Sequence, residues 1–325
     1  MRFDPRKVEQ LCCPACSGRL SCVTGPDEGL VVELTCAGCG ARHRVVNGIP
    51  RFVPPENYAG SFGFQWNLHF RTQLDSYTGV PISRDRLIEA TGWEGPQTGR
   101  RVLEAGSGAG RFTEVLLQTG ADVVSLDYSS AVEANARNNG SSDRLLLAQA
   151  DMRHIPCEPR SFDTVLCLGV LQHTPDPSES FASLARYVKP GGELVIDSYR
   201  KSPLDMIHWR FLVRPFTRKM EPERLYRLVE RMAPVLVPVS AALKKVMGGV
   251  ATRLVPIAEF SEYGLSQKVN MEWAILDTFD MLSPAYDFPQ TMDSVRQWYA
   301  AAGFVDVSVR RGINGIVARG CAPAG

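Results

Sequence analysis

The stretch from Arg101 to Gly110, RVLEAGSGAG, restricts the fold more than any other part of the 325-residue chain. A short apolar run, Arg101–Ala105, enters a loop with glycine at 106, 108 and 110. A helical pattern follows from Arg111 to Thr119 and stops at Gly120. The same alternation then repeats. Val123–Asp127 reads as a second strand, and Ser129 caps a polar helix to about Asn139. Arg144–Ala150 reads as a third strand ending at Asp151, and Phe162–Leu168 as a fourth. A helix over 178–188, a turn at Lys189-Pro190-Gly191-Gly192 and a fifth strand at Glu193–Asp197 complete the series. The chain closes with a helix over 292–302, a stop at Gly303, and strands at Phe304–Arg310 and Ile313–Ala318. Strands alternating with helices imply a mostly parallel, doubly wound α/β sheet, whose ligands sit at the carboxyl ends of the strands.

The glycine spacing separates cofactor classes. A dinucleotide fingerprint wants glycine at the first, third and sixth places, but here the sixth place is Arg111 and glycine falls one place early, at Gly110. An acid, Glu104, precedes the loop by two residues. The layout Glu-x-Gly-x-Gly-x-Gly resembles motif I of the class I S-adenosylmethionine-dependent methyltransferases. Asp127, Asp151-Met152, the segment Gly169-Val170-Leu171-Gln172-His173 and the Lys189–Gly192 turn resemble that family's later motifs in the same order. The resemblance covers about residues 100–199. It implies a seven-stranded Rossmann-like sheet, S-adenosyl-L-methionine as cofactor and methyl transfer as the reaction.

Residue roles follow from that resemblance. Gly106, Gly108 and Gly110 would admit the aminoacyl tail, and Glu104 would orient its amino group. Asp127 would hold the ribose diol, and Asp151 with Met152 would meet the adenine. Leu168 would lie under the methionine portion. Tyr128 either stacks on adenine or belongs to the core. His173 follows the fourth strand and is the candidate catalytic base, the other reading being that it pins the loop Thr174-Pro175-Asp176.

The cysteines define a second unit. Cys13-Pro14-Ala15-Cys16 and Cys36-Ala37-Gly38-Cys39 form two CxxC knuckles with 19 residues between them. That spacing matches a four-thiolate Zn2+ site, closed and therefore structural. Gly18 and Gly40 supply turn freedom after each knuckle. A piece of about fifty residues is too small to fold on burial alone, so the metal would supply much of its stability. Residues 11–53, including Asn47-Gly48-Ile49-Pro50, resemble the small Trm112-like zinc ribbons, a family that includes partners of RNA and protein methyltransferases.

Acceptor recognition is expected outside the sheet. Phe62-Gly63-Phe64-Gln65-Trp66 and Gln73–Tyr77 form an aromatic segment ahead of the first strand, so Trp66 and Tyr77 are candidate substrate contacts. Residues 200–290 form an insertion too long for a connection and are read as a mainly helical cap. Its helix over 221–232 places Leu225, Leu228, Val229 and Met232 on one face. Charge in the cap is polarised, with twelve Lys+Arg and four Asp+Glu over 200–256, then one Lys and six acids over 257–290. In the acidic part, Asp277, Asp280 and Tyr286 are candidate substrate contacts suited to a polar small molecule.

The chain thus divides into a zinc ribbon (1–54), lid or linker helices (55–97), a cofactor-binding core (98–199), a helical substrate cap (200–290) and a C-terminal part of the core (291–325). A net charge of +1 gives no bulk attraction to nucleic acid. The ribbon itself holds seven basic and five acidic residues, too weak a patch for backbone binding. No secretory h-region and no membrane span are visible, so a cytoplasmic protein is expected. The expected function is methylation at oxygen or nitrogen of a small or medium metabolite, in a specialised-metabolite or envelope-sugar pathway. The alternatives are an rRNA or tRNA methyltransferase and a non-catalytic S-adenosylmethionine-binding scaffold. The partner expected is the acceptor itself, with a homodimer left open.

Overall fold

The computed structural model describes residues 1–26, 29–202 and 208–324. The N-terminal unit is a four-stranded antiparallel sheet of β1 (Leu20–Thr24), β2 (Val31–Cys36), β3 (Arg42–Val46) and β4 (Ile49–Pro50), in that order. Asn47 and Gly48, both at positive φ, make the tight turn between the last two strands. Three helices follow: α1 (Gly60–Leu68), the single turn α2 (Asp75–Thr78) and α3 (Ile82–Thr91).

The core then alternates as β5 (Arg101–Ala105), α4 (Arg111–Gln118), β6 (Asp122–Asp127), α5 (Val132–Asn139), β7 (Leu145–Gln149), β8 (Phe162–Leu168), α6 (Pro177–Ala185) and β9 (Val188–Ser198). The cap contains α7 (Trp209–Thr217), α8 (Pro222–Met247), α9 (Ala251–Leu254) and α10 (Gln267–Leu282). α11 (Met292–Ala301), β10 (Val305–Gly312) and β11 (Gly315–Cys321) end the chain. The large sheet has seven strands in the order β10-β11-β9-β8-β5-β6-β7, antiparallel at β10/β11 and β11/β9 and parallel elsewhere. This is the mostly parallel, doubly wound sheet that the alternation predicts, with the seven strands that the resemblance implies.

Period-2 alternation divides the sheet's apolar residues between its two faces. Val102, Val123, Leu145 and Leu166 pack with Phe112, Leu116 and Leu87 of α4 and α3. Leu103, Val124, Leu146 and Val165 pack with Phe181 of α6 and Tyr299 of α11. Leu11, Cys13, Leu34 and Val45 of the N-terminal unit join this second cluster, so the small sheet shares a core with the large one. Beyond β4 the chain continues along the open edge of β7: Arg51 bridges Gln149 in parallel, Phe52 N–H donates to the Gln149 carbonyl at 2.8 Å, and Arg51 pairs with Glu133. The contact covers a sheet edge that would otherwise be unpaired.

Four local expectations differ from the fold. Lys189–Gly192 is a bulged entry to β9, not a free turn, because Gly191 N–H and Gly192 C=O pair with residues beyond β11. The helix expected over 178–188 stops at Ala185, since residues 188 onward join the sheet. Ser129 does not cap α5, which starts at Val132; its hydroxyl donates to Asp127 and accepts from Ala131 N–H. Finally, α8 runs on through Pro234 and Pro238 to Met247. Both prolines are exposed, while Leu225, Val229, Ala233, Val237 and Ser240 keep one continuous buried face. Among the described residues, no helix is long and apolar enough to cross a membrane.

Candidate functional site

At the carboxyl ends of the parallel strands lies a cavity enclosing about 1140 Å³ not filled by protein atoms, part of it open to solvent. The β5–α4 loop forms its floor. Gly106, Gly108 and Gly110 all take positive φ. At Gly108 a Cβ would also meet the Trp66 indole at 3.2 Å, and at Gly110 it would strike Asn135. The backbone is thus bare toward the cavity at Gly108, while Gly110 packs against Asn135 behind the floor. Asp127, at the end of β6, accepts from Gly108 N–H at 2.8 Å and from the Ser129 amide and hydroxyl, and burial pushes its pKa up. Glu104 is buried beneath the loop, with Thr113 and Ser125 donating to its Oε2, and burial pushes its pKa up to about 7. Its Oε1 and the Ser107 hydroxyl are buried without a partner among the described residues. A buried acceptor in that state suits a donor from outside the chain, such as an ammonium group.

The other end of the cavity is built by the cap. His173 is buried, and its Nδ1 lies 3.0 Å from the Tyr286 carbonyl. A carbonyl only accepts, so Nδ1 carries a hydrogen, and in the neutral ring it is Nε2 that holds the lone pair. Nε2 is buried with no partner among the described residues. Asp277 and Asp280, four and seven residues past Trp273 in α10, line the same space. Burial pushes Asp277 up to about 7 and raises Asp280. Asp277 accepts from Gln73 Nε2 and from the Trp273 indole, and Asp280 accepts from Gln65 Nε2.

The expected site residues therefore divide. Gly106, Gly108, Asp127, Tyr128, Met152, Leu168, Trp66, His173, Asp277 and Asp280 line one cavity. Glu104 and Gly110 sit behind its floor. The Asp151 carboxylate is engaged by the Arg153 guanidinium at 2.7 Å and does not line the cavity. The Tyr77 hydroxyl donates to Glu272, and Tyr286 meets His173 only through its backbone, so neither side chain lines the cavity either. The Tyr128 ring stacks on Tyr58 at 4.8 Å.

Sequence reasoning missed several lining residues: Tyr58, Gln73, Arg86, Arg111 and Tyr199. Arg111 is half-buried, bonded to Gln73 and Ser83, and desolvation lowers its pKa to about 10. Arg86 clamps Asp197 through Nε at 2.7 Å and Nη2 at 2.9 Å. The end of β9 was a legible signal for Asp197, because strand ends collect ligand-side residues. Its partner in α3, 111 residues earlier, left no trace in the sequence.

In the N-terminal unit, the sulfurs of Cys13, Cys16, Cys36 and Cys39 lie within 4.8 Å of one another. Cys16–Cys36 is 3.4 Å and Cys13–Cys39 is 3.7 Å. A tetrahedral ion with metal–sulfur bonds of about 2.3 Å sets its sulfurs about 3.8 Å apart, so the four thiols fit one ion. Gly18 is required sterically, since a Cβ there would come within 2.8 Å of the Cys36 sulfur.

Comparison with known proteins locates one familiar segment. Residues 103–196 match the family model described as a methyltransferase domain. The chain is 32% identical over 126 residues to the ubiquinone biosynthesis O-methyltransferase of Sodalis glossinidius, covering 38% of this chain and 49% of that one. It is 36% identical over 109 residues to the protein of the same name from Alkalilimnicola ehrlichii, covering 32% and 44%. The chain thus spans about half the length of the curated relatives it matches. Among solved structures, an O-methyltransferase family protein from Burkholderia thailandensis aligns at TM-score 0.44 and 15% identity, over 81% of this chain and 64% of that one. A chain of the Haloferax volcanii complex containing the Trm112 methyltransferase activator aligns at 0.45 and 14%, over 83% and 99%.

Proposed function

We propose that this protein is an S-adenosylmethionine-dependent methyltransferase acting on a hydroxyl of a small metabolite, with a structural zinc ion in its N-terminal ribbon. One observation carries the reading: a single cavity joins the glycine floor, Asp127 and Met152 to His173, Asp277 and Asp280. The methyltransferase-domain match over residues 103–196 supports it. The bound cofactor would supply a methyl group already activated on a sulfonium.

The protein's own residues would do the rest. Gly106 and Gly108 give the aminoacyl tail access to bare backbone, and Glu104 Oε1 and Ser107 stand ready for its ammonium. Asp127 accepts from the ribose hydroxyls. Tyr58, Phe62 and Trp66 cover the site and keep water from the transferring carbon. His173, its tautomer set by the Tyr286 carbonyl, takes the acceptor's proton at Nε2. Asp277 and Asp280 receive hydrogen bonds from a polar acceptor, which favours a polyhydroxylated molecule over an apolar one. Oxygen is favoured over nitrogen on two grounds. A neutral amine needs no base in the transition state, whereas a hydroxyl does, and the named relatives are O-methyltransferases. Cys13, Cys16, Cys36 and Cys39 would hold the zinc ion, whose role is to close the ribbon.

Incubation with methyl-labelled S-adenosylmethionine and a panel of catechols, sugars, amines and RNA tests the reading. Label transferred to a hydroxyl compound, and lost in His173→Gln, is the expected result. Label on RNA alone, or on nothing, contradicts it.

A further inference from the structure

The cap carries a surface that the catalytic reading leaves unused. Of the 21 large apolar residues described as exposed in the chain, 11 fall between Leu212 and Leu254. On α7, Leu212 is 78% and Phe216 75% exposed, although Trp209 on the same helix is buried. On α8, Leu228, Val235, Val239 and Val246 follow one another at spacings of seven, four and seven. Val235 is 65% and Val246 85% exposed. At about 100° per residue these four form one stripe, roughly 27 Å long, on the side away from the face buried by Leu225, Val229, Ala233 and Val237.

Charge is arranged around that stripe. Arg227, Arg231 and Lys245 are exposed and fall within about 100° of it, and Glu223 and Glu230 turn roughly 150° away; at the start of the helix Glu221 lies in line with the stripe and is paired with Arg224 at 3.2 Å. The helix contributes its inner face to a core shared with α7 and α10, so the outer stripe is not needed to hold the cap together. An apolar band this long is uncommon on a monomer and marks an interaction surface.

We infer that the outer face of α7 and α8 docks on an anionic lipid surface. Charge complementarity selects this occupant. Three cations beside a narrow apolar stripe, with the acids of the helix body turned away and the one at its start already paired with Arg224, match the pattern by which helices lie in the headgroup plane of acidic membranes. An acidic protein would pair with the cations but leave Val235, Val239 and Val246 in water. A second copy would bring the same cations face to face. The mode is peripheral, which agrees with the lack of a spanning helix among the described residues. It rests on the cap alone and holds whatever the acceptor is.

Cosedimentation of the full chain with vesicles tests it. Phosphatidylcholine vesicles are compared with vesicles holding one quarter phosphatidylglycerol, at low and high salt. The expected result is at least fivefold more bound protein on the anionic vesicles, a gain abolished at high salt. Val235→Ser/Val239→Ser/Val246→Ser and, separately, Arg227→Gln/Arg231→Gln/Lys245→Gln should each lower that binding at least fivefold. All six positions are exposed, and circular dichroism checks that each variant keeps its helix content. Equal binding to both vesicle types, no binding, or unchanged binding in both variants overturns the inference. So does a dimer seen by light scattering that the valine variant dissociates, because the stripe would then belong to a second copy.

Discussion

At the scale of single residues, the proposed chemistry turns on His173 and Asp277. His173 has one nitrogen committed to the Tyr286 carbonyl and the other buried without a partner. If it is the base, His173→Gln lowers kcat about 10²- to 10⁴-fold and leaves the KM for the methyl donor within about twofold. A histidine that merely pins the loop would raise KM or lower the melting temperature instead. Asp277 makes a different prediction. Its folded pKa is raised to about 7 from an ordinary 3.8, because burial disfavours its charge. The stabilisation it contributes is therefore complete below the ordinary value and is lost as pH rises toward 7. Asp277→Asn should flatten the fall in stability between pH 4 and 7, by on the order of 3 kcal/mol at most. Glu104 shifts in the same direction, also to about 7, so part of the slope remains in that variant. Thermal melts across pH read both effects. Much of this scale was legible. The strand-end acid Asp127 and the histidine after the fourth strand stood at positions where chemistry collects. Arg86 and Gln73 did not, because nothing local marks a side chain whose partner lies 111 or 204 residues away.

At the scale of elements, the β5–α4 loop and the two knuckles were readable because their geometry is written into neighbouring residues. Glycine is forced at 108 by positive φ and by the Trp66 indole 3.2 Å from where a Cβ would stand. Gly108→Ala should weaken binding of the methyl donor at least tenfold by calorimetry, with only a small change in melting temperature, since the strain falls on the cavity side. Boundaries were less readable. Proline signals suggest a helix end, yet α8 passes Pro234 and Pro238 because its buried face continues across them and the prolines point to solvent. The Lys189–Gly192 stretch read as a turn because its partners, the residues beyond β11, lie about 130 positions later.

At the scale of the whole molecule, the three parts work as one body. The ribbon contributes Leu11, Leu34 and Val45 to the core of the large sheet and guards the β7 edge through Arg51 and Phe52. Purified protein should hold about one zinc ion per chain by elemental analysis. Removing it with a chelator should lower the melting temperature of the entire chain in a single transition; a separate early transition, with the core unmoved, would mean the ribbon is an independent appendage. The cap likewise completes the cavity by supplying Asp277 and Asp280. Sequence could announce that the ribbon and the cap exist, through cysteine spacing and segment length. It could not place them, because docking depends on packed side chains that no periodicity encodes.

Every proposed role depends on the glycine-floored cavity binding S-adenosylmethionine. Isothermal titration of the wild-type chain and Asp127→Ala with that compound tests it most directly. One site per chain and at least tenfold weaker binding in the variant are expected, with circular dichroism unchanged. No heat of binding in the wild type, or equal affinity in the two proteins, would contradict it.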